Sequence, residues 1–106
     1  MSEQFYNEVG GQLSGQFGAT IGQMFGKSCL KIGGKAFAAF FKEEMVFKLG
    51  RDEVNLLLSK YPGSTNWDPS EKGRPMKDWL QIPVEFNDDW GVLAKQALDY
   101  VEEISK

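Results

Sequence analysis

Two residue types that often carry chemistry are scarce in this chain of 106 residues. Histidine is absent, and Cys29 is the only cysteine. A single cysteine cannot form a disulfide within the chain, and a chain without histidine lacks both a Cys/His zinc cluster and the commonest general base. The sequence therefore excludes histidine-dependent catalysis, and we expect a protein that is not an enzyme.

Long apolar segments are also missing. The longest, residues 36–41, is far shorter than the roughly twenty residues that a bilayer span requires. The first residues, MSEQFYNEV, do not follow the basic and then apolar pattern of a signal peptide. We therefore expect a cytoplasmic protein that does not associate with a membrane.

The acidic residues do not suggest a metal site. Three acidic pairs occur, at positions 43–44, 88–89 and 102–103. Side chains that are adjacent in sequence diverge, so none of these pairs converges on one cation or on a shared proton. We interpret the pairs as a turn, a helix cap and a solvated helix face, and we expect neither a metal nor another cofactor.

The chain does contain enough apolar material for one hydrophobic core. Hydrophobic residues make up 42% of it and aromatic residues 13%, so a single domain over residues 1–106 can fold without covalent or metal cross-links. The formal net charge of −3 is unevenly spread, because residues 27–77 are basic and residues 78–106 are acidic. Duplex-binding domains are usually basic overall, so double-stranded nucleic acid is not the expected partner.

The first element predicted from hydrophobic spacing is an amphipathic helix. Phe5, Val9 and Leu13 recur at every fourth residue, which places them on one helix face. The Gly10-Gly11 pair lies within this helix and weakens it, by about 1 kcal/mol per glycine relative to alanine.

Three strands are predicted next. The period-two alternation over residues 27–32 is typical of a half-buried strand, and the Gly33-Gly34 pair after it predicts a two-residue hairpin turn. The run KAFAAFFK is apolar on both faces, as in a central strand, and a charged turn at 42–44 leads to a third strand at 45–49. We therefore expect a three-stranded antiparallel meander.

A second helix and a second hairpin follow. Helical spacing over residues 54–61 predicts a helix that ends at the sequence YPG. A short strand is expected at 65–68. A longer strand is expected from Met76 to Ile82, with Met76, Leu80 and Ile82 on one face.

The last predicted element is a helix with a continuous apolar stripe from Trp90 to Ile104, and residues 87–89 provide side-chain oxygens that can cap its N-terminus. The resulting order is αβββαββα. We therefore expect an α+β fold of two layers, in which helices pack on a five-stranded antiparallel sheet.

The segment GQMFGKS, residues 22–28, is similar at first sight to a phosphate-binding loop. That motif needs four residues between its glycines, a strand before it and a helix after it. Here three residues separate Gly22 from Gly26, no apolar strand is expected before the segment, and a strand pattern follows it. We interpret the segment as a glycine-rich turn that leads into the first strand.

Cys29 is a second candidate for chemistry. A nucleophilic thiol needs a neighbouring base or a lowered pKa, and the chain contains no imidazole to act as the base. Lys27 and Lys31 share a strand face with Cys29, and they could lower its pKa modestly. The sequence favours a structural thiol, since unpaired cysteine usually behaves as a small buried hydrophobic residue.

The most prominent candidate surface lies in the second hairpin. We use "basic hairpin" for its three cations and two tryptophans, namely Trp67, Lys72, Arg74, Lys77 and Trp79. Cations beside exposed aromatic rings can bind small anions or single-stranded nucleic acid through charge and stacking. The alternative interpretation is an ordinary hairpin whose tryptophans pack on a face of the sheet.

Two long segments, MFGKSCLKIGGKAFAAFFKEEMVFKLG and EKGRPMKDWLQIP, resemble the TfoX N-terminal domain family. The similarity lies in a Met-Phe-Gly start, a Gly-Lys hairpin turn, and a Lys-Gly-Arg-Pro hairpin that ends in an aromatic residue and Ile-Pro. The sequence YPG and the closing helix also resemble the related YjbR/MmcQ group. The resemblance extends over nearly the whole chain and implies the αβββαββα fold.

The namesake of this family is a regulator of natural competence that has an additional C-terminal helical domain. The resemblance therefore implies a role related to transcription that is exerted through protein contacts, and it implies no catalytic residues. The sequence departs from the family pattern in two places. Lys27 stands where the family often has a second glycine, and Gly10-Gly11 lies within the first helix.

These observations lead to two functional hypotheses. The first is a non-enzymatic binding or regulatory domain that contacts a protein partner, or a second copy of itself, through a sheet edge or the basic hairpin. The alternative is a domain that binds a small molecule or single-stranded nucleic acid at the basic hairpin.

Overall fold

The computed structural model describes residues 2–106, in which three α-helices accompany a six-stranded antiparallel sheet. The elements, in chain order, are α1 (Glu3–Phe17), β1 (Thr20–Met24), β2 (Lys27–Ile32), β3 (Lys35–Phe41), β4 (Glu44–Lys48), α2 (Arg51–Lys60), β5 (Thr65–Trp67), β6 (Met76–Ile82) and α3 (Trp90–Ile104). A short 3-10 helix, Val84–Asp89, precedes α3. The strand order in the sheet is β1-β2-β3-β4-β6-β5, so β1 and β5 form its two edges.

The predicted number of five strands is wrong, because residues 20–24 form a strand instead of a turn. β1 pairs with β2 in an antiparallel register that places Gly22 opposite Cys29. This strand was hard to find from sequence, since Ile21 and Met24 are its only large apolar residues and they do not alternate. Residues 22–28 thus contain the end of β1, a two-residue turn and the start of β2. No helix follows the Gly-Lys-Ser triplet, so the segment lacks the geometry of a phosphate-binding loop.

Three tight turns connect β1 to β4. In each of them both loop residues have positive φ, as the type I′ turns of two-residue hairpins require. Glycines occupy both positions of the turn at 33–34, as expected. The turn at 42–43 consists of Lys42 (φ 51°) and Glu43 (φ 65°) instead, and Ser2 packs against it. The Ser2 Oγ atom lies 2.7 Å from the main-chain oxygen of Glu43 and 2.7 Å from its Oε1 atom.

The main core lies between the sheet and the helices. Every buried apolar side chain of α1, α2 and α3 belongs to this cluster, together with Leu30, Met45, Phe47, Leu80 and Ile82 from the strands. The Gly10-Gly11 pair does not interrupt α1. Gly10 is buried instead, and it allows the helix to approach Leu30 of β2 closely.

A second cluster of buried residues lies on the opposite face of the sheet and receives no side chain from a helix. We call it the inner cluster; it consists of Cys29, Ala39, Phe41, Val46, Trp67 and Trp79. The sheet curls around it, so that the ring of Phe25, just after β1, lies 6.1 Å from the ring of Trp67 on β5. Curling therefore buries a face that a flat two-layer packing would leave exposed.

Most of the remaining predicted elements are confirmed, with two corrections. Met76 does not share a face with Leu80 and Ile82. The pairing of β5 with β6 shifts register between Asn66 and Trp67, and Met76 consequently packs against the inner cluster. The expected capping of the last helix is also wrong, because residues 87–89 belong to the 3-10 helix and make no side-chain cap on α3.

Asp89 has another partner instead. Its Oδ2 atom accepts a hydrogen bond of 2.8 Å from the hydroxyl of Tyr61, which lies just after α2. Within residues 2–106, no helix combines the length and the apolar character that a bilayer crossing needs.

Candidate functional site

The basic hairpin has its cations and its tryptophans in different environments. Lys72, Arg74 and Lys77 are exposed on and beside the loop between β5 and β6. Trp67 is fully buried and Trp79 is 5% exposed. The indole rings of these two residues lie 5.0 Å apart within the inner cluster. The interpretation in which the tryptophans pack on a sheet face therefore agrees with the structure, and no exposed indole is available to stack on a ligand beside the cations.

The loop between β5 and β6, which we call the basic loop, has its backbone organised around the carboxylate of Asp68. The Oδ1 atom of Asp68 accepts hydrogen bonds from the amides of Ser70 (3.1 Å) and Glu71 (3.0 Å). The Oδ2 atom accepts from the amides of Gly73 (2.9 Å) and Arg74 (3.0 Å). Converging amides of this kind can hold an external anion. Here they already hold a carboxylate of the chain, so only the side-chain cations remain for a ligand.

Hydrogen bonding also shifts the acidity of Asp68. The hydrogen bond from the Ser70 side chain, followed by those from the loop amides, keeps the pKa of Asp68 below its usual value of 3.8. The loop therefore contains a carboxylate that stays ionised at neutral pH and neutralises part of the positive charge around it.

Cys29 is placed as a structural residue. Its side chain is fully buried in the inner cluster, and burial raises the pKa of the thiol above 9.0 although the nearby Lys31 acts in the opposite direction. A thiolate nucleophile needs the reverse shift and needs access to substrate. In the part of the chain that the structure describes, no three side chains of the His, Cys, Asp and Glu types come together as metal ligands.

A depression of about 790 Å³ lies between the end of β2 and the last turns of α3. Asp99, Glu102 and Glu103 contribute carboxylates to it. Two of these acids have cationic partners nearby in the chain, since Asp99 pairs with Lys95 of α3 at 2.6 Å and Glu103 pairs with Lys106, just after α3, at 3.2 Å. We interpret this surface as the solvated face of α3.

The feature that the sequence reasoning missed is the edge formed by β1. β1 has only β2 beside it, so one row of its backbone groups has no neighbouring strand. The two-residue loop makes Met24 and Lys27 the pair that closes the hairpin. Hydrogen-bonded and non-hydrogen-bonded pairs alternate in an antiparallel ladder, so the N–H and C=O groups of Ile21 and Gln23 point away from β2.

β1 itself has none of the features by which proteins usually prevent unwanted strand pairing, although the side chain of Lys31 from β2 lies across it at Gly22. Such features are charged side chains, proline, bulges or a very short strand. β1 is five residues long and regular in its pairing, and residues 9–26 contain no charged residue at all. The other edge strand, β5, has three residues and is followed directly by Asp68 and Pro69.

Large apolar side chains lie exposed along β1. Ile21 is 67% exposed and Phe25, in the turn that follows, is 61% exposed. Phe17, at the end of α1, is 42% exposed. The uncharged stretch of sequence was the signal that could have indicated this surface, because an uncharged segment with exposed apolar residues is unusual on a monomer.

In comparisons with known proteins, no family model matches this chain and no curated protein matches it. The resemblance to the TfoX N-terminal domain family therefore stays a prediction from the sequence.

Proposed function

We propose that this chain is a non-enzymatic binding or regulatory domain, and that two copies associate by pairing their β1 strands. The observation that carries the proposal is the open edge of β1, which is regular, uncharged and flanked by exposed apolar side chains. The resemblance to the TfoX N-terminal domain family also implies a regulatory role, one related to transcription. We propose the cytoplasm as its compartment.

A second copy of the chain suits this edge for reasons of symmetry and charge. When two identical strands meet across a two-fold axis they run antiparallel, and each presents the same donors and acceptors to the other. Two chains that each carry a net charge of −3 repel at long range. β1 itself contributes no charged side chain to such an interface, and the one cation beside it is Lys31 of β2, whose side chain lies across Gly22, so repulsion between the paired strands is limited to this lysine.

The exposed apolar side chains add to the hydrogen bonds of the paired strands. Burial of apolar surface contributes about 25 cal/mol per Å² removed from water. Ile21 has two thirds of its surface available for such burial, and at Gly22, in the middle of the strand, the aliphatic part of the Lys31 side chain lies across the backbone. The pairing therefore combines main-chain hydrogen bonds with apolar contact, as in other cases of strand addition.

The oligomeric state of purified protein tests the proposal. We expect a dimer by light scattering coupled to size-exclusion chromatography, and we expect Ile21→Lys to convert it to a monomer because a charge on the edge opposes pairing. Leu56→Lys is the matched control, since Leu56 lies on α2 and is 69% exposed, close to the value for Ile21. A wild-type monomer, or a dimer that Ile21→Lys leaves intact, would contradict the proposal.

A further inference from the structure

A groove of about 310 Å³ opens beside the inner cluster, at the end of β1. Four of its lining residues are apolar and come from three different strands, namely Met24, Ala36, Met76 and Trp79. The groove also reaches the helix side of the sheet, where Val101 and Ile104 at the end of α3 line it. Pockets for small ligands begin at about this volume and are mostly apolar, and methionine side chains adapt to ligands of different shapes.

The charged side chains in this groove are both cationic. Lys35 and Lys48 line it and no Asp or Glu does, although Lys35 also lines the larger depression that contains Asp99, Glu102 and Glu103. Within residues 2–106 neither lysine takes part in any of the ion pairs, which involve Lys42, Lys95 and Lys106. In a chain with a net charge of −3, two such lysines at an apolar groove create a local site for an anion.

The wall of the groove contains a residue in an unfavourable conformation. Phe25 has a φ of 55°, in the left-handed region that bulky residues rarely adopt. Asparagine or glycine would fit this turn position with less strain. The phenyl ring is held edge-on to Trp67 and lines the groove while remaining 61% exposed. Strain of this kind is concentrated at sites that bind ligands.

We infer that the groove binds a small anionic amphiphile, a molecule with an apolar acyl or aryl body and one carboxylate. The apolar body lies against Met24, Met76 and Trp79, and the carboxylate is within reach of Lys35 and Lys48 at the rim. This site shares Phe25 with the apolar surface along β1, but it does not use the open row of backbone groups of that strand and does not depend on the association of β1 strands. It also differs from the basic hairpin, because it uses neither Lys72 nor Arg74.

Octanoate is the probe, and 1-octanol is its uncharged counterpart. We expect octanoate to bind saturably in calorimetry and to change the fluorescence of Trp79. Lys48→Met should weaken octanoate binding by about threefold to tenfold, since it removes one charge-assisted contact, and should leave octanol binding unchanged. Lys72→Met is the control for the basic hairpin and should leave both affinities unchanged.

Two further variants test the position of the site. Ala36→Phe fills the groove and should abolish binding, and Phe25→Asn removes the wall while easing the turn, so it should weaken binding in a chain that stays folded by circular dichroism. Ile21→Lys should bind octanoate like the wild type, which separates this inference from the proposed dimer. Absence of saturable binding, equal affinity for octanoate and octanol, or an unchanged affinity in both Lys48→Met and Phe25→Asn would overturn the inference.

Discussion

Gly10 of α1 lies so close to Leu30 of β2 that a Cβ atom on the glycine would stand 3.1 Å from the Cδ2 atom of the leucine. Leu30 is 1% exposed and belongs to the main core, so it has little room to move. The neighbouring Gly11 would meet nothing within 4 Å. Of these two adjacent glycines in α1, packing therefore requires only Gly10.

This difference predicts different changes in stability for the two alanine substitutions. Gly11→Ala should raise the free energy of unfolding by about 1 kcal/mol, because alanine favours the helix and meets no obstacle. Gly10→Ala should be less stable than Gly11→Ala, because the gain in helix propensity is offset by crowding against Leu30. Urea unfolding of the two variants and the wild type checks this order. Equal stabilisation by both substitutions would show that α1 is not packed as described.

Because its thiol is buried, we expect Cys29 to react slowly with thiol reagents. Because burial raises its pKa and closes off access, the folded protein should react with a thiol reagent far more slowly than the protein unfolded in urea. Cys29→Ser should lower the free energy of unfolding by about 1 to 3 kcal/mol, since it places a hydroxyl in an apolar cluster. Rapid labelling of the folded chain would contradict the structural role of Cys29.

Tyr61 predicts a loss of stability at alkaline pH. Burial, followed by the hydrogen bond to Asp89 and the charge of that carboxylate, raises the pKa of Tyr61 from 10.0 to about 12. This raised pKa stabilises the fold at pH values below 10.0, the pKa of tyrosine in the unfolded chain. The contribution is lost as the pH rises from 10 towards 12.

The variant Tyr61→Phe isolates this contribution. We expect the free energy of unfolding of the wild type to fall between pH 10 and pH 12 more steeply than that of Tyr61→Phe, because only the wild type has this hydroxyl to titrate. Denaturant unfolding at several pH values measures the two slopes. Tyr6 also has a raised pKa and is present in both proteins, so its effect cancels in the comparison. Parallel slopes would contradict the assigned environment of Tyr61.

Asp68 predicts a local effect on the basic loop. Asp68→Ala removes the acceptor for four loop amides, so hydrogen exchange at Gly73 and Arg74 should accelerate while the amides of the central strands keep their protection. In the wild type the same loosening should appear at acidic pH. Because the pKa of Asp68 is lowered in the folded chain, the carboxylate stays ionised and keeps these hydrogen bonds at pH values above 3.8. It loses them as the pH falls through the pKa that Asp68 has in the folded chain. Unchanged exchange in Asp68→Ala would show that the loop is held by other contacts.

Much of the fold was predictable from local pattern. Period-two alternation located β2 and β4, the turn glycines at 33–34 and the apolar run after them located β3, and helical spacing located α2 and α3. β1 was not predictable in the same way, because Ile21 and Gly22 give no alternating signal and the strand exists through its pairing with β2. The position of Met76 depends on a register shift between two strands, which no local pattern records.

The candidate sites were less predictable than the fold. The cations of the basic hairpin lie where the sequence placed them, on the surface, but burial of Trp67 and Trp79 depends on the curling of the whole sheet. The groove is likewise assembled from residues as far apart as Met24 and Ile104. Such surfaces follow from tertiary packing, which is why sequence reasoning could name their residues without bringing them together.

Hydrogen exchange at the β1 edge, measured residue by residue, tests the central claim most directly. The amides of Ile21 and Gln23 point away from β2, so they have no hydrogen-bond partner within the sheet of a monomer. If two copies pair through β1, the Gln23 amide should be protected in the wild type, increasingly so at higher protein concentration, and should exchange rapidly in Ile21→Lys while remaining protected in Leu56→Lys. Rapid exchange of this amide in the wild type at every concentration would contradict the account.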